Sequence, residues 1–415
     1  MSRIAVIGGG PAGITAAIFA SQNGAEVTLF EKNEKLGKKI YITGKGRCNV
    51  TNDCEPKEFL SNVVTNANFL YSASFKWTSR DTMNFLEQNG LKLKVERGNR
   101  VFPESDKASD VTKTLEKVLR RNGVKICLNS EILAVECCES GIKLHTITDI
   151  VVFDKVIIAT GGVSYPTTGS TGDGYKFAKT LGHNVVDVKA GLCEIPLREN
   201  VSSLEGLSLK NVTLTAKNLQ NGKELCSFFG EMLFTKNGIS GPIALSTSSV
   251  INKYPVGQVG LYLDLKPALK NEHGQQPNLD ERLLKDFKEF TNKEFKNSLV
   301  KLFPDRLCQY VATASKIPLE KQVNRVSAEE RERLRGLIKA LPFHPSKPGE
   351  LFSAIITSGG VDVKQVNPST MQSKLYENVY FAGETLDVDA YTGGFNMQIA
   401  FATGYLAGIS ASKEW

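Results

Sequence analysis

The chain has 415 residues, 41% of them hydrophobic and 23% charged, with 36 glycines and a formal charge of +7, which excludes a disordered or collagen-like chain and suits two or three domains. Its 51 Lys and Arg against 44 Asp and Glu form no long block of one sign, so no nucleic-acid partner is expected. Eight cysteines without a CxxC pair and four widely separated histidines, His145, His183, His273 and His344, lead us to expect a reduced cytoplasmic protein without a metal site.

RIAVI reads as an apolar strand that runs into Gly8, Gly9, Gly10, Pro11, Ala12 and Gly13. The helix ITAAIFASQ follows, stops at Gly24, and leads to a second strand, EVTLF, closed by Glu31. Strand, GxGxxG, helix, strand and terminal acid in this order point to a dinucleotide. Gly8 suits a tight turn, Gly10 lets a pyrophosphate approach, and Gly13 lets the helix lie on the strand; the free N–H groups at the N-terminus of that helix face the phosphates. Glu31 is placed to accept from a ribose, which favours FAD or NAD over NADP.

The next segment, KNEKLGKKIYITGKGRCNVTN, is basic and holds Gly37, Gly44 and Gly46. Lys35 and Lys39 read as a solvated face. Arg47, set among small groups with Cys48 and Asn49, reads as a second grip on the pyrophosphate or ribityl chain, which an extended FAD needs and NAD rarely does. VKICLNSEILAVECC reads as strand, turn and strand, and FDKVIIATGG as a strand ending at Ala159, Thr160, Gly161 and Gly162. At the carboxyl end of a parallel sheet, such small residues lie beneath a pyrophosphate. His183 reads as a surface or capping residue. Cys48 and Cys54 lack the spacing of a redox pair.

From residue 191 to 342 a different texture intervenes. LKNVTLTAKNL, ELCSFFGEMLFT and QVGLYLDLK alternate as antiparallel strands of a small barrel or sandwich, giving a β-rich stretch over 191–277. LDERLLKDFKEF, DRLCQYVATASK and SAEERERLRGLIKAL are helical, over 278–342, the last opened by Ser327 and Glu330 at capping-box spacing. Pro342, Pro345 and Pro348 read as a linker back to the first domain at 343. The dinucleotide domain is thus expected in two pieces, 1–190 and 343–415, with a cap between them that carries the substrate site. In the second piece the strand VYFAG leads to Glu384, placed for ribityl hydroxyls, and Gly393 and Gly394 open a helix toward the flavin pyrimidine edge. Residues 390–412 are long enough for a membrane span but carry Asn396, Gln398 and four glycines, as a buried helix would.

VIGGGPAG with Glu31, GKGRCNVTN, ATGG, TSGGVDV, YFAGETLDVDAYTGGFN and FATGYLAG together resemble the BaiN-like flavoprotein oxidoreductase family, which includes aminoacetone-oxidase-type proteins, over nearly the whole chain. The resemblance implies a Rossmann-like α/β FAD-binding domain of the glutathione-reductase and fumarate-reductase type, interrupted by a β-barrel-like and helical insertion. It implies FAD contacts from Gly8, Gly10, Ala12, Gly13, Glu31, Lys32, Gly44, Arg47 and Asn49. Ile132, Ala159, Thr160, Gly161, Gly383, Glu384, Gly394, Phe395, Asn396 and Met397 extend that set, and Pro11, Lys38 and Cys48 within the same segments complete it. The family usually has a histidine after FT in the loop FTKNGISGP, where this chain has Lys236. Lys236 and Tyr391, just before the Gly393–Gly394 pair, are the candidate catalytic groups. Without a second GxGxxG, NAD(P)H is expected only as a transient electron donor, since GSTGDG at 169–174 has the wrong spacing.

The expected activity is an NAD(P)H-driven reductase passing hydride through flavin N5 to a small organic substrate such as an activated C=C bond. The alternatives are an FAD-dependent amine oxidase using O2 and, in another class, a flavin-bearing redox sensor or RNA-binding protein.

Overall fold

The opening pattern folds as its hydrophobicity dictates. β1 (Arg3–Ile7), α1 (Pro11–Gln22) and β2 (Glu26–Phe30) form a βαβ unit. The computed structural model describes residues 1–267 and 279–413. β1 is central in a five-stranded parallel sheet ordered Val379–Phe381, Lys155–Ile158, β1, β2, Lys125–Cys127. Ile4, Val6, Ile157 and Ile158 are fully buried, as strands covered on both faces require.

α1 is apolar nearly all round because it is covered twice, by the sheet and by the C-terminal helix Phe395–Ser412. The two helices meet backbone to backbone. A Cβ on Gly404 would stand 2.3 Å from the Ala12 carbonyl oxygen, and one on Gly408 would stand 2.4 Å from that of Ala16. The long apolar segment is therefore a buried helix, and no described helix is long and apolar enough to cross a membrane. None of the eight cysteines forms a disulfide.

The chain divides into two units, Met1–Gly191 with Glu350–Trp415, and Leu192–Gly349. The second is built on an antiparallel sheet ordered Ile195–Pro196, Gly238–Ser240, Glu224–Phe234, Ser208–Asn218, Val259–Asp264, Leu341–Phe343. Leu197 bridges Pro345, the Arg198 N–H donates to the His344 carbonyl at 2.8 Å, and the Ser346 N–H donates to the Pro196 carbonyl at 2.9 Å. First and last strands therefore meet, and the sheet closes into a six-stranded barrel, which removes its edges. Helices Leu279–Glu289, Asp305–Ala314 and Ala328–Lys339 follow. The last carries the expected capping box: the Glu330 N–H donates to Ser327 Oγ at 3.2 Å, and the Ser327 N–H donates to the Glu330 carboxylate at 2.8 Å.

One boundary differs from expectation. Residues 342–348 are not a linker back to the first domain, because Leu341–Phe343 pairs with Val259–Asp264 as the last barrel strand. Pro342 is tolerated because Leu341–Phe343 itself pairs only with Val259–Asp264, the contacts that close the barrel lying just beyond it at His344–Ser346, and the second unit runs on to Gly349. The expected change from β-rich to helical texture at 277/278 falls outside the described residues.

Candidate active site

The turn after β1 is pinned on several sides. The Gly8 N–H donates to the Phe30 carbonyl at 2.9 Å, and a Cβ on Gly8 would stand 2.4 Å from the Ala159 carbonyl oxygen. A Cβ on Gly13 would stand 1.9 Å from the Gly8 carbonyl oxygen, so α1 can begin this close to the turn only with glycine there. Gly10 differs: φ is −83°, and no heavy atom lies within 4 Å of where its Cβ would stand. Space is thus open beside the N-terminus of α1, where Pro11 occupies the first helical position and the next N–H groups await an anion.

Glu31 follows β2 and reaches back to this turn. Its carboxylate accepts from the Gly9 N–H at 2.8 Å, the Asn33 N–H at 2.8 Å and Asn33 Nδ2 at 2.6 Å. A carboxylate has about four acceptor positions, so one remains for a ribose hydroxyl. Lys38 Nζ donates to Asn33 Oδ1 at 3.3 Å and Lys32 Nζ to Asp173 at 2.6 Å. Burial pushes the Asp173 carboxyl up, and hydrogen bonds from Lys32 and Thr171 outweigh it, holding that group below its ordinary range. Ser130 N–H donates to the Glu31 carbonyl at 3.0 Å, which sets the turn before Ile132 against Glu31.

The ends of the neighbouring strands converge on the same point. Thr160 Oγ1 accepts from the Gly174 N–H at 3.0 Å, and the Gly383 N–H donates to Thr403 Oγ1 at 2.9 Å. Gly383 lies against Ala12, the nearest atom to its Cβ position at 2.7 Å, and the Gly161 Cβ position is 3.8 Å from the Glu384 carboxylate. Glu384 holds the centre. It accepts from the Thr357 N–H at 2.6 Å, Lys39 Nζ at 2.9 Å and Ser164 Oγ at 3.3 Å. Lys39 is therefore not part of a solvated face; its ammonium is shared between Glu384 and Ser164 Oγ, the latter at 2.6 Å.

The first turn of the C-terminal helix is locked from below. Gln398 is 1% exposed; its amide oxygen accepts from Thr51 and Thr82 hydroxyls at 2.8 Å each, and its Nε2 donates to the Trp77 carbonyl at 3.0 Å. The Gly394 Cβ position lies 2.4 Å from the Thr51 backbone and 3.0 Å from Asn49 Oδ1, joining the Asn49 segment to the helix start. Phe395 is buried against Phe59, with ring centres 6.3 Å apart, and Met397 packs partly buried on the same core. Asn396 accepts from the Ala390 N–H at 2.9 Å and donates to the Ala390 carbonyl at 2.8 Å. Tyr391 is held next to it, its N–H donating to the Asn62 carbonyl at 3.0 Å.

Several expected contacts take another form. Arg47 is turned to protein carboxylates: it pairs with Glu96, with Asp106 at 2.7 Å, and lies 4.1 Å over the Phe102 ring. Its bond to Glu96 holds that carboxyl below its ordinary range, and Lys94 with Arg47 does the same to Asp106. Arg47 thus braces its loop, where Gly44 and the fully buried Cys48 take φ of +55° and +61°. His183 is neither a surface nor a capping residue. It is buried, with Nε2 2.8 Å from Ser373 Oγ and its ring edge-on to Phe381, and burial lowers its pKa. Lys236 is exposed on a turn of the second unit, while Tyr391 belongs to the first. Burial pushes the Cys54 thiol up to about 11, so it is a poor nucleophile.

Residues 2–410 match the family model described as the HI0933-like protein Rossmann domain. The chain belongs to the HI0933-like family. This family is the BaiN-like flavoprotein group, and the chain is an FAD-dependent oxidoreductase. The 3-dehydro-bile acid delta(4,6)-reductase of Clostridium scindens is 32% identical over 426 residues, covering 100% of both chains. The ribosomal RNA dihydrouridine synthase of Haemophilus influenzae is 30% identical over 419 residues, covering 99% of this chain and 98% of its own. Its namesake in Escherichia coli K12 is 30% identical over 407 residues, covering 96% and 95%. Among solved structures, 3-ketosteroid-delta4-(5alpha)-dehydrogenase from Rhodococcus jostii RHA1 shares the fold at a TM-score of 0.52 and 13% identity, covering 100% of this chain and 97% of that one. The HI0933-like assignment agrees with the geometry: open space at Gly10, a spare acceptor position on Glu31 and the helix start at Gly394 fit one extended FAD.

Proposed function

We propose that the chain is an NAD(P)H-driven reductase acting on a carbon–carbon double bond conjugated with a carbonyl, and that this bond belongs to a uracil ring in RNA. The observation that carries the reading is the FAD-type site in a chain whose full-length relatives are named for two such reductions. A 3-keto bile acid unsaturated at positions 4 and 6 and a uracil ring share an alkene polarised by a carbonyl. Two of these three relatives carry the ribosomal RNA name, and the chain's charge of +7 suits a polyanion. The expectation of no nucleic-acid partner rested on the absence of a contiguous basic block, which does not bear on lysines brought together from separate segments.

NAD(P)H gives up a hydride and becomes NAD(P)+; one alkene carbon gains that hydride and the other a proton. FAD, when bound, carries the hydride between donor and acceptor. The chain's residues hold and orient: α1 and Glu31 take the adenosine end, Glu384 the ribityl hydroxyls, and the Gly394 helix start the opposite end. Tyr391 supplies the proton from its hydroxyl, its backbone fixed by Asn62 and by the Asn396 turn. Lys236 is the other candidate donor.

The test uses FAD-loaded protein with NAD(P)H under anaerobic conditions, offered either unmodified ribosomal RNA or a 4-en-3-one steroid. Mass spectrometry of digested RNA should show uridine gaining two hydrogens. Tyr391→Phe should lower that rate by about 100-fold at unchanged FAD content, whereas Lys236→Ala should leave it near wild type. Reduction of the steroid alone would remove RNA from the reading. Reduction of neither, with peroxide formed aerobically from an amine, would replace it with the oxidase alternative.

A further inference from the structure

Apart from the residues assigned to the cofactor, the first unit carries a cleft of about 380 Å³. One wall is the turn Asn66–Phe69 and the other is the loop from Val363 to Lys374. Its floor is apolar, with Phe69, Val363 and Val366 buried, and its rim is basic. Lys364 and Lys374 line it, and Lys76 reaches its outer wall, with Nζ 3.5 Å from the Ser369 carbonyl. No described carboxylate pairs with any of these three lysines, unlike Lys32, Lys38, Lys39 and Lys94 in the same unit.

The helix Tyr71–Lys76 joins the two walls, following the Asn66–Phe69 turn directly and ending at Lys76. It exposes two aromatic rings one turn apart: Tyr71 is 60% exposed and Phe75 44%, with ring centres 4.7 Å apart. Lys374 Nζ donates to the Lys364 carbonyl at 2.8 Å, so the Lys374 and Lys76 ammonium groups are held by backbone oxygens rather than by carboxylates. Exposed rings on the same surface as lysines whose charge no carboxylate answers suit a strand that alternates flat bases with phosphates, because bases stack on rings and phosphates pair with ammonium groups. An acidic peptide would use the lysines and leave the rings idle.

The cleft is also tied to the reacting side of the unit. Asn66 Nδ2 donates to the Asp387 carbonyl at 2.7 Å and to its carboxylate at 3.1 Å, and Thr65 pairs with Asp389 two residues before Tyr391. We propose that this cleft, with the Tyr71–Phe75 pair, is the surface that seats single-stranded RNA next to the reacting uracil. This rests on the RNA form of the proposed function.

The experiment measures fluorescence anisotropy of a labelled uridine-rich RNA of about 12 nucleotides, a length of the order of one single-strand site, on FAD-loaded full-length protein over a range of salt. Lys364→Glu/Lys374→Glu should weaken binding at least tenfold and flatten the salt dependence by about two contacts. Tyr71→Ala/Phe75→Ala should weaken it about tenfold with an unchanged salt slope. Both should retain FAD and be reduced by NAD(P)H as wild type is. If wild type binds RNA and reduces its uridine while both variants bind equally well, this surface is overturned and the RNA reading stands. If wild type reduces only the steroid and binds no RNA, both fall. Equal binding of a poly-glutamate peptide, lost in the lysine variant and kept in the aromatic one, would overturn RNA in favour of an acidic protein partner.

Discussion

Replacing Gly13 with alanine is expected to weaken FAD binding by up to about 100-fold. The added Cβ would stand 1.9 Å from the Gly8 carbonyl oxygen and 3.3 Å from a Val6 methyl, so one side must move. Gly8 has little room to do so: its N–H is bound to Phe30, and its own Cβ position already faces Ala159 at 2.4 Å. The start of α1 shifts instead, and with it the N–H groups that face the phosphates. Overpacking of this kind costs about 1–3 kcal/mol, and the upper end corresponds to a roughly 100-fold weaker Kd for FAD. Gly10→Ala separates fold from ligand. Its Cβ meets nothing within 4 Å and its φ of −83° suits alanine, so unfolding by urea should be unchanged. FAD affinity should nevertheless fall about tenfold, because the methyl occupies the space assigned to the pyrophosphate. Fluorescence titration of FAD into apoprotein reads both variants; unchanged affinity in Gly10→Ala would place the cofactor elsewhere.

The second large effect is expected at Glu384. Its carboxylate serves a backbone N–H, an ammonium and a hydroxyl drawn from three distant segments, around Lys39, Ser164 and Thr357. Glu384→Ala leaves all three without this acceptor. The lysine side chain is 20% exposed, so water answers part of its charge, and the cost is set at about 3 kcal/mol of stability. Glu384→Gln keeps the shape and one acceptor oxygen, so it should cost about 1 kcal/mol while weakening FAD roughly tenfold. Urea denaturation of apoprotein beside FAD titration separates these effects. A Glu384→Ala protein as stable as wild type would show that water or a neighbouring group replaces the carboxylate.

The parts legible in the sequence are those with a local signal. The run from Arg3 to Glu31 contains its own period, turn and stop, and the structure places each where that pattern requires. The barrel strands were visible through their alternation, and the last helix of the second unit through Ser327 and Glu330. What escaped was long-range pairing. Nothing near Lys39 announces a carboxylate 345 positions away, and nothing near Arg47 announces Glu96 and Asp106. Small neighbours around Arg47 indicated close approach without saying to what. The prolines at 342, 345 and 348 looked like a linker because the pairing of Leu197 with Pro345 leaves no trace in local composition. Gln398 reads as a polar interruption of an apolar helix, and only the arrival of Thr51, Thr82 and Trp77 from other segments explains its burial.

The most direct test of the central claim is anaerobic stopped-flow mixing of the FAD-loaded protein with NADH and, separately, NADPH, followed through the flavin absorbance. The account predicts that one of them bleaches the flavin rapidly and that a conjugated alkene then restores its colour without oxygen. A flavin that neither nucleotide bleaches, but that an amine reduces and air reoxidises with release of peroxide, would contradict it.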